Sequence, residues 1–184
     1  MNTWLLRPFT YIAGSKALLL GWAIMLITSV VAYFSRTHFD GAIDAHAGAT
    51  VMPYFIYLLE ALIAWGCMVL ACYAAAAIFA RSSFRLIDIA GTLALARTPL
   101  LAIALINFGM PVVVNPMDIN PMVITLALIS LPFFIWMLVL MYQSFSVSAN
   151  MKGNKAVIIF IVALIVAEVI SKALISFTFP LLVP

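Results

Sequence analysis

Charged residues are scarce in this chain of 184 residues. Only 8% of the sequence is Asp, Glu, Lys or Arg, whereas about a quarter is usual in soluble domains. The hydrophobic fraction is 67% and the mean hydropathy is +1.24. A water-soluble fold of this length could not bury so much apolar surface, so its solvent must be a lipid bilayer. The composition therefore excludes a soluble protein and indicates an integral membrane protein.

Cysteine is rarer still. The chain has two, Cys67 and Cys72, and both lie inside one apolar run. This placement excludes a disulfide framework and argues against a zinc site. We expect both to be small packing residues.

Signatures of catalysis and of nucleic-acid binding are also missing. No Gly-x-Ser-x-Gly turn and no phosphate-binding P-loop occur in the sequence. The net charge is only +3, and the basic residues flank apolar runs instead of forming a run of their own. The sequence therefore predicts a non-enzymatic protein with no cofactor and no nucleic-acid partner. Its expected partners are membrane lipids and either further copies of itself or another membrane protein.

Five apolar runs are present, and each is long enough to form a transmembrane helix. They predict an all-α membrane protein folded as one domain over residues 1–184. The first run is interpreted as a retained span, because it is long for a signal peptide and no cleavage site follows it. Pro180 is expected to end the last helix. The predicted spans are about 17–34, 54–80, 92–108, 122–141 and 156–179.

The connection between the third and fourth runs is rich in proline. Pro111, Pro116 and Pro121 recur at intervals of five residues, which forbids a regular helix. The apolar segment 112–114 between them suggests a loop that dips into the membrane interface.

Basic residues are distributed unevenly between the two ends of the predicted bundle. With five spans, the only basic residue on the side opposite the N-terminus is Arg36. The positive-inside rule then places the N-terminus in the cytoplasm and the C-terminus outside. The N-terminal side collects Arg7, Lys16, Arg81, Arg85, Arg97, Lys152 and Lys155.

Three ionisable residues fall within the predicted spans, namely Glu60, Glu168 and Lys172. Charges at such depth are costly unless they are paired, so each is a candidate functional residue. At about 1.5 Å rise per residue, Glu60 and Lys172 lie at similar depths of roughly 9–10 Å. Glu168 precedes Lys172 by one helical turn. We expect a cluster in which Lys172 pairs with Glu60, Glu168 or both, and which serves either as a structural ion pair or as a proton or substrate pathway. Alternatively, the three residues are unpaired and face a water-filled cleft or extend toward the interface.

Three further charges lie around the start of the predicted third span. Arg97 is expected in its first turns, where its side chain would reach a lipid phosphate on the cytoplasmic face. Alternatively, Arg97 pairs with Asp88 or with Glu168. Arg85 belongs to the same group of cytoplasmic lipid or ion-pair candidates.

The first loop, 35–52, carries two imidazoles and two carboxylates within nine residues: His38, Asp40, Asp44 and His46. This set could bind a divalent cation, and in a helical loop the two carboxylates would share one face. However, glycines interrupt the segment and raise the cost of ordering four ligands. We therefore expect no bound metal, solvent-accessible histidines, and carboxylates that stabilise the loop or pair with Arg36.

Three segments resemble the Yip1-domain family in its compact bacterial form: Phe84–Pro99, Tyr142–Asn150 and Lys152–Ala156. Five spans with a cytoplasmic N-terminus are also similar to that family. The resemblance implies a non-enzymatic protein of the bacterial cytoplasmic, or inner, membrane. Eukaryotic members associate with small GTPases through a long N-terminal region, and this chain has only about sixteen residues before its first span.

Three functions remain open on this basis. The first is a membrane-organising or scaffold protein that acts through lipid or protein contacts. The second is a small oligomeric transporter or lipid-moving protein that uses Glu60, Glu168 and Lys172. The third and weakest is a metal-dependent membrane enzyme built on the first loop. The surroundings of the in-span charges discriminate between the first two, because a transporter requires water to reach them.

Overall fold

The computed structural model describes residues 7–49, 52–111 and 120–182. The described part of the chain is mostly helical, and five helical segments are long and apolar enough to cross a membrane. The predicted all-α membrane fold with five spans is therefore confirmed. The spanning segments are Gly14–Ser35, Tyr54–Phe79, Leu86–Gly109, Pro121–Ser148 and Gly153–Pro180.

Six α-helices make up these segments, because the third span is divided. Helix α3 ends at Ala96 and α4 begins at Pro99. Proline suits the first turn of a helix, where its missing N–H is not needed, but it cannot continue the preceding one. The helices are α1 (Gly14–Ser35), α2 (Tyr54–Phe79), α3 (Leu86–Ala96), α4 (Pro99–Ile106), α5 (Pro121–Ser148) and α6 (Gly153–Leu182).

The third span lies at the centre of the bundle. In its most apolar stretch 67% of residues are buried, against 11% for the fourth span. Helices α1 and α3 approach closely, since a Cβ on Gly21 would lie 2.5 Å from the backbone nitrogen of Leu95. Small residues allow such close packing of membrane helices. Helix α5 packs on α3 and α4 at one side, and α6 packs on α2 at the other.

The helices differ from the predicted spans mainly at their ends. The third span begins at Leu86 instead of 92, and α5 continues to Ser148 instead of 141. Polar residues are tolerated there because helix ends reach the aqueous interface, where hydropathy does not mark the boundary. Helix α6 also continues two residues past Pro180, contrary to the prediction. The proposed interfacial dip at 112–114 lies outside the described residues.

The first loop connects α1 to α2 at one end of the bundle, here called the loop end. Arg36 adopts a left-handed conformation (φ 56°) that ends α1. Two short strands follow, β1 (Thr37–His38) and β2 (His46–Ala47), which pair antiparallel. The loop is therefore not helical, and Asp40 and Asp44 do not share a helical face. The opposite end of the bundle, which carries residues 7–13, 80–85 and 149–152, is called the N-terminal end.

Candidate functional site

Residues 39–43, which directly follow β1, descend into the bundle. Phe39 and Ala42 are buried, with 1% and 0% of their surface exposed. Non-helical backbone at membrane depth is tolerated only where protein or water satisfies its polar groups. The partners of these backbone groups therefore decide whether such a loop is stable.

Glu60 of α2 provides the hydrogen-bond partner for the groups at the beginning of this buried segment. Its Oε2 accepts a hydrogen bond of 2.9 Å from the backbone N–H of Phe39, and its Oε1 lies 2.8 Å from Nδ1 of His38. The residue is only 1% exposed. Both oxygens are thus engaged by the first loop, and Glu60 forms no ion pair with Lys172, so the expected contact of Lys172 with one or both glutamates is made by Glu168 alone. Helical rise gives the depth of a residue but not the direction in which its side chain points.

Side chains of helix α6 accept hydrogen bonds from the next backbone N–H groups of the segment. The backbone N–H of Ala42 donates to Oγ of Ser171 and that of Ile43 donates to Oε2 of Glu168, both at 2.9 Å. A Cβ on Gly41 would lie 2.4 Å from Oε1 of Glu168. Only glycine therefore lets the chain pass this close to the carboxylate without displacing it.

Lys172 neutralises the carboxylates on this side. Its Nζ lies 3.5 Å from Oε1 of Glu168, which is the ion pair expected from their spacing of four residues. A closer contact of 2.6 Å joins Nζ to Oδ2 of Asp44 in the first loop. The sequence did not indicate Asp44 as a partner, because the path of the loop was not known.

Arg97 lies in the middle of the membrane span and not on the cytoplasmic face, so that prediction is corrected. The earlier start of α3 places it eleven residues into the span, about 16 Å from Leu86. It is 3% exposed, and its Nη1 donates a 2.8 Å hydrogen bond to the carbonyl oxygen of Ala42. Glu168 is close enough to interact with it electrostatically, whereas Asp88 is not its partner. The guanidinium thus satisfies the carbonyl at the deepest part of the loop.

The other two residues of that predicted group do form an ion pair. Nε of Arg85 lies 2.8 Å from Oδ2 of Asp88 at the N-terminal end. Asp88 is in the first turn of α3, where the helix dipole favours a negative charge.

His38 and His46 stack above the buried segment with ring centroids 5.8 Å apart. His38 is buried against Tyr57, whose ring is 4.8 Å away, so the expectation that it would be solvent-accessible is wrong. The side chain of His46 is 50% exposed, as expected. Its Nδ1 lies 3.5 Å from Oδ1 of Asp40, and the contact raises the pKa of His46 and lowers that of Asp40.

Three of the four candidate metal ligands come together here. One ligand atom each from Asp40, Asp44 and His46 lies within 4.8 Å of the others, so these residues could hold a divalent cation. His38 is engaged by Glu60 instead. The ammonium of Lys172 already neutralises Asp44 and would compete with a metal ion.

A cavity of about 490 Å³ opens beside this cluster at the loop end. Glu60 and His38 lie in its wall with Asp40 and His46, and Phe179 lines the other side. Polar ligands could therefore approach the buried carboxylate from this end.

A group of hydroxyls joins α3 to α5 nearer the N-terminal end. Oγ1 of Thr92 lies 2.6 Å from Oγ of Ser144 and 3.0 Å from Oγ of Ser148. Sequence reasoning did not identify this contact, although the spacing of the two serines by four residues places them on one helical face.

Comparisons with protein-family models, with curated protein sequences and with solved structures found no match to this chain. The geometry of the first loop and its helices is therefore the basis on which its function is inferred.

Proposed function

We propose that this protein is a non-enzymatic membrane-organising or scaffold protein of the Yip1-like type, which acts through contacts with lipids or with other membrane proteins. The observation that supports the proposal is that the charged residues within the spans form hydrogen bonds and ion pairs with the first loop. Glu60, Glu168 and Arg97 bind the backbone of residues 39–43, and Lys172 pairs with Glu168 and Asp44. These charges are employed in holding the loop inside the bundle.

A transport pathway would need the same groups to exchange partners. Glu60 would have to release Phe39 and His38, and Glu168 would have to release Ile43. Each release would leave buried polar groups without partners, at about 1–3 kcal/mol for each group. A scaffold needs no such exchange, so the arrangement favours it.

The segments that resemble the Yip1-domain family meet at the N-terminal end of the bundle. They contain the Arg85–Asp88 ion pair and the Thr92–Ser144 contact. This proximity supports a common role in packing that end of the fold. We place the protein in the bacterial cytoplasmic membrane, with this end in the cytoplasm, because six of its basic residues lie there, whereas the loop end carries two, Arg36 and Lys172, of which Lys172 is paired with Asp44 and Glu168.

The second candidate function is a small oligomeric transporter or lipid-moving protein. The cavity of about 490 Å³ favours it, because it extends from the loop end to Glu60. A metal-dependent membrane enzyme ranks third and depends on a cation bound by Asp40, Asp44 and His46.

Proton flux into proteoliposomes discriminates between the first two functions. Purified protein is reconstituted with a pH-sensitive dye in the lumen, and flux is driven by a potassium gradient with valinomycin. We expect the wild type and Glu60→Gln to match protein-free vesicles, while electron cryomicroscopy shows vesicle size or shape changing with protein density for both. Flux that is lost in Glu60→Gln, or vesicles that remain unchanged at every density, would overturn the proposal.

A further inference from the structure

An apolar groove runs between α2 and α6 in the half of the bundle nearest the N-terminal end. Its volume is about 670 Å³. Its floor includes Ala75 and Ala163, and its exposed walls include Ile78 and Val162. The two helices pack against each other, and the small side chains of Ala71, Ala74 and Ala75 on α2 leave room for the groove.

The dimensions of the groove fit a single hydrocarbon chain. It extends along α6 from Lys155 to Val166, which is about 16 Å at the helical rise. One leaflet contributes half of the ~30 Å hydrocarbon core, or about 15 Å. The groove therefore spans about the depth of one leaflet, and the side chains that line it are apolar except for Lys155 at one end.

The ammonium group of Lys155 lies at the mouth of the groove, the end nearest the N-terminal end of the bundle. Lys155 is exposed in the first turn of α6, and its Nζ lies 5.7 Å from the centroid of the Phe79 ring. No carboxylate within the described residues forms an ion pair with it. Both the ammonium and the nearby N-terminus of α6 favour an anion at this position.

We propose that this groove is a binding site for an anionic phospholipid of the leaflet at the N-terminal end. One acyl chain lies in the groove, and the phosphate of the headgroup pairs with Lys155. This inference rests on the proposed function, since it identifies the lipid contact through which the protein would act. Charge complementarity at the mouth and the match to one leaflet select a lipid as the occupant.

Native mass spectrometry of the full-length protein tests the site. The protein is released from vesicles of equal phosphatidylglycerol and phosphatidylcholine, and the retained lipids are counted. We expect a preference for phosphatidylglycerol that falls about fivefold in Lys155→Gln, the effect of one basic residue near a membrane surface. Lys16→Gln removes an exposed charge from α1 at the same end and should keep the preference.

A second pair of variants tests the groove itself. Ala74→Phe adds a ring to its lining and should remove about one retained lipid per protein, whereas Ala23→Phe on the exposed face of α1 should remove none. Unchanged thermal unfolding verifies that both variants fold. The inference is overturned if Lys16→Gln and Lys155→Gln act equally, if Ala74→Phe retains all its lipid, or if Ala74→Phe changes only the oligomeric state.

The flux assay and the lipid count test the scaffold function and the lipid site separately, so either hypothesis can be refuted without the other. Proton flux with an intact lipid site would refute the scaffold function and leave the lipid site standing. Silent vesicles with no preference for phosphatidylglycerol would refute only the lipid site.

Discussion

At the scale of single residues, the charged side chains within the spans are explained by the hydrogen bonds that they form with buried main-chain groups of the first loop. Glu60 accepts one hydrogen bond from a main-chain amide and shares another with an imidazole nitrogen, and Arg97 donates one to a carbonyl. Buried main-chain groups without partners are rare in folded proteins, and a bilayer offers them no water. The in-span charges therefore substitute for the hydrogen bonds that a helix would have made.

Glu60→Ala should lower the free energy of unfolding in detergent by about 3 kcal/mol, because it leaves the Phe39 amide and the His38 ring without a partner. Glu60→Gln should cost less, since one oxygen is kept. The matched control is Asp88→Ala, which breaks an exposed ion pair and should cost less than about 1 kcal/mol. Equal losses for Glu60→Ala and Asp88→Ala would contradict this account.

Replacement of glycine by alanine is expected to change stability in opposite directions at Gly41 and Gly66. Gly41→Ala should destabilise the protein by about 1–2 kcal/mol, because the new methyl group would displace the carboxylate of Glu168. Gly66→Ala meets no atom within 4 Å in the middle of α2 and should stabilise it by about 0.5–1 kcal/mol. Thermal unfolding of the two variants measures both effects, and a shift of the same sign in both would refute the assigned crowding at Gly41.

At the scale of elements, the Asp40–His46 contact is expected to make the stability of the first loop depend on pH. Asp40 raises the pKa of His46 above its usual value of about 6.5, and His46 in turn lowers that of Asp40 below about 3.9. The contribution of His46 to stability is complete below about pH 6.5 and is lost as pH rises through its raised pKa. The contribution of Asp40 is present above about pH 3.9 and is lost as pH falls through its lowered pKa.

NMR titration of the His46 ring checks this dependence. We expect a midpoint above 6.5 in the wild type and a lower midpoint in Asp40→Asn, which removes the charged partner. The amide signals of β1 and β2 should shift over the same pH range. A wild-type midpoint at or below 6.5 would show that the contact does not form.

Features that depend on residues close together in the sequence could be predicted, whereas features that depend on contacts between distant parts of the chain could not. Apolar runs locate the five spans, and the Glu168–Lys172 pair follows from a spacing of four residues on one helix. The partners of Glu60 and Arg97 depend on the path of residues 39–43, which no periodicity encodes. A start of α3 six residues earlier than predicted was enough to move Arg97 about 9 Å deeper.

At the scale of the whole molecule, α1 is long and apolar enough to cross a membrane, and its crossing would put the N-terminus and the first loop on opposite sides. Reporter fusions at Gly48, Ser83, Asn115 and Gly153 should read outside, inside, outside and inside, because most basic residues collect at the N-terminal end. Alkaline phosphatase and green fluorescent protein give opposite signals at each position and control for expression. A fusion at Gly48 that reports the same side as Ser83 would contradict the topology.

The burial of Arg97 also has a consequence for the order in which the protein is made. An arginine at the centre of a helix opposes insertion into the membrane by about 2.5–3.5 kcal/mol. The ribosome has already delivered its hydrogen-bond acceptor, the carbonyl of Ala42, 55 residues earlier. The neighbouring carboxylate of Glu168 emerges only with the last span. The third span is therefore expected to leave the insertion machinery together with α1 and the first loop, and the bundle closes when α6 arrives.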